Sequence, residues 1–109
     1  MEAPRAVAHR VVFRPAAEKD LIKLYRSIAF SRGETTVASG YVRRIREYCE
    51  GLADFPERGS KRDDLRLGLR IVGFERRIVI AFTFDDKCVR IGRIFYGGRD
   101  YETLLGGPD

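Results

Sequence analysis

The sequence predicts an α+β fold: an N-terminal strand, an antiparallel two-helix hairpin, then a three-stranded antiparallel sheet and a short C-terminal helical turn. Three observations predict it. Apolar residues recur at helical spacing from Pro15 to about Phe55. β-branched and aromatic residues dominate from Leu67 to Phe95. The longest polar stretch, PERGSKRDD at 56–64, falls between these two regimes and reads as a loop. No repeat, low-complexity tract or linker interrupts the chain, so residues 1–109 are read as a single domain. An apolar content of 44% supplies one modest core.

The elements follow in order. HRVVFR, residues 9–14, is a short strand stopped by Pro15, whose missing N–H suits the first turn of a helix. Ala17, Leu21, Leu24, Tyr25, Ile28 and Ala29 then form one helical face and Glu18, Lys19, Lys23 and Arg26 the other, until Gly33. A second helix begins at Glu34 or Thr35 and carries Ala38, Tyr41, Val42, Ile45, Cys49 and Leu52 to about Phe55, before Pro56. Gly40 inside it suggests a close backbone approach, since glycine there costs roughly 1 kcal/mol relative to alanine. Strands are expected at Leu67–Phe74, Arg77–Phe84 and Cys88–Phe95, with Asp85-Asp86-Lys87 as a hairpin turn. In the middle strand Ile78, Ile80, Phe82 and Phe84 should face the helices, with Arg77, Val79, Ala81 and Thr83 opposite. The alternation slips phase at Gly92, where a β-bulge is expected. A terminal helical turn, Arg99 to Leu105, ends at Gly106 and Gly107.

Composition narrows the function classes. The net charge is +5, and the basic residues are overwhelmingly arginine. The guanidinium is a planar fork suited to carboxylates, phosphates and aromatic faces. Residues 58–99 hold most of the excess. Cys49, Cys88 and His9 lack the close spacing of a zinc site, so no metal or cofactor is expected and the thiols read as reduced core groups. No apolar run is long enough to span a bilayer and no secretory signal is visible, so a cytoplasmic protein without membrane contact is expected.

The motifs FRPAAEKDLIKLYRSIA, YVRRIREYCEGLADFPERGSKRDDLRLGLR, RRIVIAFTFDD and RIFYGGRDYETLL together resemble a ParE-type toxin of the RelE/ParE superfamily across nearly the whole chain. The resemblance implies a type II toxin neutralised by a cognate ParD-like antitoxin. That antitoxin's ribbon-helix-helix half binds operator DNA, so the toxin would meet DNA only through it. It further implies DNA gyrase as the target, whereas the RelE branch cleaves messenger RNA on the ribosome. Against the RelE pattern, Arg70, Arg77 and Arg99 fall on or near basic positions, but Gly68 stands for a lysine and Leu105 for a C-terminal tyrosine. Arginine can stabilise phosphoryl charge but cannot serve as a general base at neutral pH. His9 lies far away in sequence, and Tyr96, Tyr101 and Glu102 read more simply as core or helix-end residues. The gyrase branch is therefore preferred, the ribonuclease second.

A binding surface is expected where the helix hairpin cannot cover the sheet. Arg70, Arg77, Arg90, Arg93 and Arg99, beside Val72, Val79 and Ala81, would make an apolar floor with an arginine rim for an antitoxin helix or strand. Arg58, Lys61, Arg62 and Arg66, interleaved with Asp63 and Asp64, are left to weak surface pairs or to solvent, and Arg76 should point away from Arg77. A basic nucleic-acid-binding module is the third reading. It explains the charge but not the interleaved Asp and Glu.

Overall fold

The computed structural model describes residues 10–97 and 101–106. Strand β1 (Arg10–Phe13) leads into helix α1 (Pro15–Arg32), which a two-residue connection joins to α2 (Thr35–Gly51). Strands β2 (Ser60–Lys61), β3 (Arg70–Phe74), β4 (Ile78–Phe84) and β5 (Cys88–Tyr96) follow, then α3 (Tyr101–Gly106). The α+β class and the order of elements match the sequence reading. Pro15 opens α1, and Gly33 closes it in the left-handed region at φ 67° with its N–H donated to Ala29 O.

The sheet is larger than the three strands expected. Its order is β1-β5-β4-β3-β2, with β1 parallel to β5 and every other pair antiparallel. The two helices between β1 and the later strands provide the crossover that a parallel pair requires. β2 forms inside the stretch read as loop because Gly59, at φ 80°, lets its backbone pass close to Ile71. A Cβ at Gly59 would sit 2.3 Å from Ile71 O.

Two boundaries move by three residues or more. α2 stops at Gly51, and the chain leaves it through short-range bonds from Leu52 N–H to Cys49 O and from Ala53 N–H to Glu50 O. Residues 67–68, expected to open the strand, form a turn: Gly68 has φ 80° and its N–H donates to Asp63 Oδ1 at 2.7 Å. Leu67 on that turn is 90% exposed. The bulge appears where the phase slip placed it. Ala81 pairs with Arg93 and Phe82 with Ile91, leaving Gly92 as the extra residue.

The main core lies between the helix hairpin and one sheet face. Ala17, Leu21, Leu24 and Ile28 of α1 and Ala38, Ile45 and Cys49 of α2 pack on Ile78, Ile80, Phe82, Val89 and Ile91. Burial pushes the Cys49 thiol up to about 12, so it behaves as a small apolar group. A smaller cluster occupies the second face, where Leu105 of α3 meets Leu69, Ala81 and Phe95. Gly40 departs from expectation, because a Cβ there would meet only Arg44 Nη1 at 3.8 Å. Its missing side chain leaves space open instead of admitting a neighbouring backbone.

One ion pair ties helix to sheet at the edge of β5. β1 ends at Phe13, opposite Ile91, and β5 runs on to Tyr96 without it. Asp20 of α1 takes over there: Oδ2 accepts from Arg93 Nε and from the Ile94 N–H, each at 2.8 Å, and Oδ1 accepts from Arg93 Nη2 at 3.1 Å. The carboxylate is only 9% exposed.

Asp20→Ala leaves a partly buried guanidinium and a strand N–H unpaired. It should lower the unfolding free energy by about 2 kcal/mol, discounted for the solvent access of Arg93, and is measured by urea denaturation. Gly40→Ala should raise it by up to about 1 kcal/mol in the same experiment, because the helix gains propensity without a clash.

Candidate functional site

Cross-strand partners in an antiparallel sheet share a face, so the register determines which side chains look away from the helices. On that second face stand Ile71, Ala81 and Arg93 in one row, Val79 and Phe95 in another, and Thr83 with Arg90 in a third. α3 covers part of it. Leu105 is buried there, and the Tyr101 ring lies 6.2 Å from that of Phe95. The remainder is a groove of about 370 Å³, with Leu69, Ala81, Thr83 and Gly92 as floor and Leu104 and Leu105 as one wall. Arg14, Arg66, Arg90 and Arg93 rim it.

The rim is held by specific partners. Arg90 Nη1 donates to Asp85 Oδ2 at 3.0 Å, and Asp85 Oδ1 accepts from the N–H groups of Lys87 and Cys88 at 2.9 Å each. The Asp85 carboxyl is held below its usual range, first by the Lys87 N–H and then by Arg90, so the β4–β5 turn and the rim arginine fix each other. Arg93 is forked by Asp20, which raises its pKa, and its guanidinium carbon lies 4.9 Å from the Phe95 ring centre. Arg14 sits exposed at the α1 N-cap, anchored by its backbone N–H to Ile91 O. Arginine forks in fixed orientation over an apolar floor can clamp carboxylates or phosphates.

The structure brings only some of the expected residues together. Ala81, Arg90 and Arg93 line the groove, and Val79 lies on the same face, packed into the α3 cluster. Arg70 and Val72 do not share that face, which corrects the sequence expectation. They pair with Phe82 and Ile80, whose side chains turn toward the helices. Val72 packs against the main core, and Arg70 Nη1 donates to Glu57 O at 2.8 Å while its guanidinium lies over Phe84. Arg77 occupies the β3–β4 turn, at the opposite end of β3 from Arg70, so those two do not form a cluster. Arg99 and His9 lie outside the described residues.

Arg62 forms the surface pair that the sequence allowed, and also reaches α3. Its Nε and Nη2 donate to Asp64 at 2.9 and 2.8 Å, and its Nη1 lies 2.9 Å from Glu102 Oε2 of α3. Arg58 likewise lies over the rings of Tyr48 and Phe55. Arg14 and Arg66 were missed as rim residues. Arg14 reaches the groove only through the parallel β1–β5 pairing, for which the sequence carries no local signal.

Comparison with known proteins bears on the family and the fold. A family model described as the ParE toxin of the type II toxin–antitoxin system, parDE, matches residues 11–101. A chain of the chromosomal ParDE toxin–antitoxin system from P. aeruginosa is similar in fold, with 23% identity over 82% of this chain and 96% of that one, at a TM-score of 0.70. A chain of the RelBE2 toxin–antitoxin complex from Mycobacterium tuberculosis is similar at 20% identity, covering 84% and 100%, with a TM-score of 0.58. No curated protein sequence matches.

Arg62→Ala should loosen α3 from the 62–64 turn. Amide exchange at Leu105 and Gly106 is expected to accelerate several-fold while that of β4 stays unchanged.

Proposed function

This chain belongs to the family of ParE toxins of type II toxin–antitoxin systems, and on that premise we propose that it is the toxin of such a pair. A cognate ParD-like antitoxin lies along the second sheet face, and DNA gyrase is the target. The observation that carries the antitoxin assignment is the groove itself, an apolar floor under Arg14, Arg66, Arg90 and Arg93. An amphipathic segment with an acidic face fits it: its apolar side chains fill the floor between Ala81 and Leu104, and its carboxylates meet the rim. Operator DNA is then reached through the antitoxin's own DNA-binding half. Among the described residues no helix is long and apolar enough to cross a membrane.

Action without catalysis is supported by the lining. Among the described residues that line it there is no His, Lys, Tyr or Glu that would titrate into a general base. Arg70 and Arg77, two of the three arginines on the ribonuclease pattern, stand at opposite ends of β3. An electrostatic clamp lacking a base binds well and cleaves poorly.

Two measurements test this. The purified protein should inhibit supercoiling by gyrase and leave messenger RNA uncut in a translating extract, whereas codon-positioned cuts with gyrase unaffected would establish the ribonuclease instead. For the groove, Arg14→Glu should weaken antitoxin binding about tenfold or more, worth about 1.4 kcal/mol. A carboxylate at a helix N-terminus is favourable, so α1 tolerates the change. Arg43→Glu, on the exposed side of α2, should leave the affinity unchanged.

A further inference from the structure

The β3–β4 hairpin breaks a local rule. Its loop is the three residues between the paired Phe74 and Ile78, and two of them, Glu75 and Arg76, adopt positive φ, 50° and 68°, a region that favours glycine. Two side-chain-bearing residues in the left-handed region are strained, and strain of this kind persists only where surroundings enforce it. α2 holds the turn at one point: Arg44 Nε and Nη2 donate to the two oxygens of Glu75 at 2.9 and 3.2 Å. That hydrogen bond keeps the Glu75 carboxyl below its ordinary range.

A pocket of about 410 Å³ opens beside the turn, lined by Val37, Gly40, Tyr41, Arg44, Glu75 and Tyr96 among others. Gly40 leaves it open, and Tyr41 stands edge-on to Tyr96 with ring centres 6.2 Å apart. The Tyr41 hydroxyl is raised chiefly by burial, with Tyr96 and Glu75 adding and Arg44 and Arg77 opposing, so the charge of Arg77 is felt here. The pocket shares no lining residue with the groove. It lies on the helix side of the sheet, since Tyr96 pairs with Ile78.

We infer that this strained turn and pocket form a second docking surface, which takes an acidic segment of the toxin's protein target, one apolar side chain entering between Tyr41 and Tyr96. The inference rests on the toxin reading above. Charge complementarity supports an acidic occupant: among the described lining residues Glu75 is the one carboxylate and is already paired with Arg44, Arg77 is near enough to act on the Tyr41 hydroxyl, and Arg76 lies exposed on the same turn. Placement on the other side of the sheet separates target from antitoxin. Retaining Arg76 in a position suited to glycine makes sense if its guanidinium must be displayed.

Two variants test the surface without threatening the fold. Arg76→Gly relaxes the turn and removes one charge; Gly40→Leu fills the pocket from a position where a Cβ has room. Each is expressed at the wild-type level in growing cells, and each is titrated in purified form against the cognate antitoxin, with melting temperatures recorded. The wild type should arrest growth. Both variants should lose arrest, keep antitoxin affinity within about twofold and melt no lower than the wild type. Arrest by the variants equal to wild type overturns the surface. Antitoxin affinity reduced about tenfold or more assigns the surface to the antitoxin and also overturns it. A wild type that does not arrest growth removes the toxin reading itself, and the inference falls with it.

Discussion

The one-residue bulge at Gly92, with the Asp20 carboxylate beside it, is what the rest of the structure depends on. Arg90 and Arg93 are three residues apart, and in a regular strand they would point to opposite faces. The extra residue restores the phase: Arg90 pairs with Thr83 and Arg93 with Ala81, both on the second face. The bulge falls just past the end of β1, where β5 loses its parallel neighbour. Asp20 accepts the Ile94 N–H there and forks Arg93. A single side chain thus closes a strand edge that would otherwise recruit other chains, and orients a rim arginine. It also pins α1 across the sheet. Without the bulge there would be a core but no groove.

The excess positive charge is less free than the net value of +5 suggests. Arg44 holds Glu75, Arg46 holds Glu18, Arg62 holds Asp64 and Glu102, Arg90 holds Asp85, and Arg93 holds Asp20. Most of these pairs are exposed and contribute little individually to stability. Their effect is geometric: each fixes a guanidinium plane, so side-chain entropy is already lost before a partner arrives. Such a surface discriminates by shape and charge pattern. A duplex would need a continuous basic stripe, and the interleaved carboxylates interrupt one.

Features fixed by local chemistry were legible in the sequence. Pro15 and Gly33 bracketed α1, and the phase slip at Gly92 located the bulge. In β4, bulky Ile78, Ile80 and Phe82 contrast with Val79, Ala81 and Thr83, so its core face could be chosen from side-chain size. β3 offers no such contrast. Ile71 and Gly73 alternate with Arg70, Val72 and Phe74, and both sets are part apolar. Which set meets the helices is settled by register against β4, fixed by a three-residue loop whose Glu-Arg-Arg sequence does not signal its conformation, and with it went the assignment of Arg70 and Val72. The alternation in LRLGLR continued the strand pattern to Leu67, and only the positive φ of Gly68 ends it. Arg14 entered the groove through a parallel pairing across more than seventy residues.

The two candidate surfaces differ in the kind of energy they store. The groove is built on relaxed backbone, and its rim residues Arg90 and Arg93 are already held by Asp85 and Asp20 in the free protein, so binding there adds contacts without rearrangement, as suits a partner held for long periods. The β3–β4 turn carries two strained residues and touches α2 through one exposed fork, Arg44 to Glu75. A carboxylate brought to Arg44 competes with Glu75 for the same donors. Binding at the turn is therefore coupled to its conformation, whereas binding in the groove is not, and strain tolerated at only one of two surfaces points to the surface whose shape must respond.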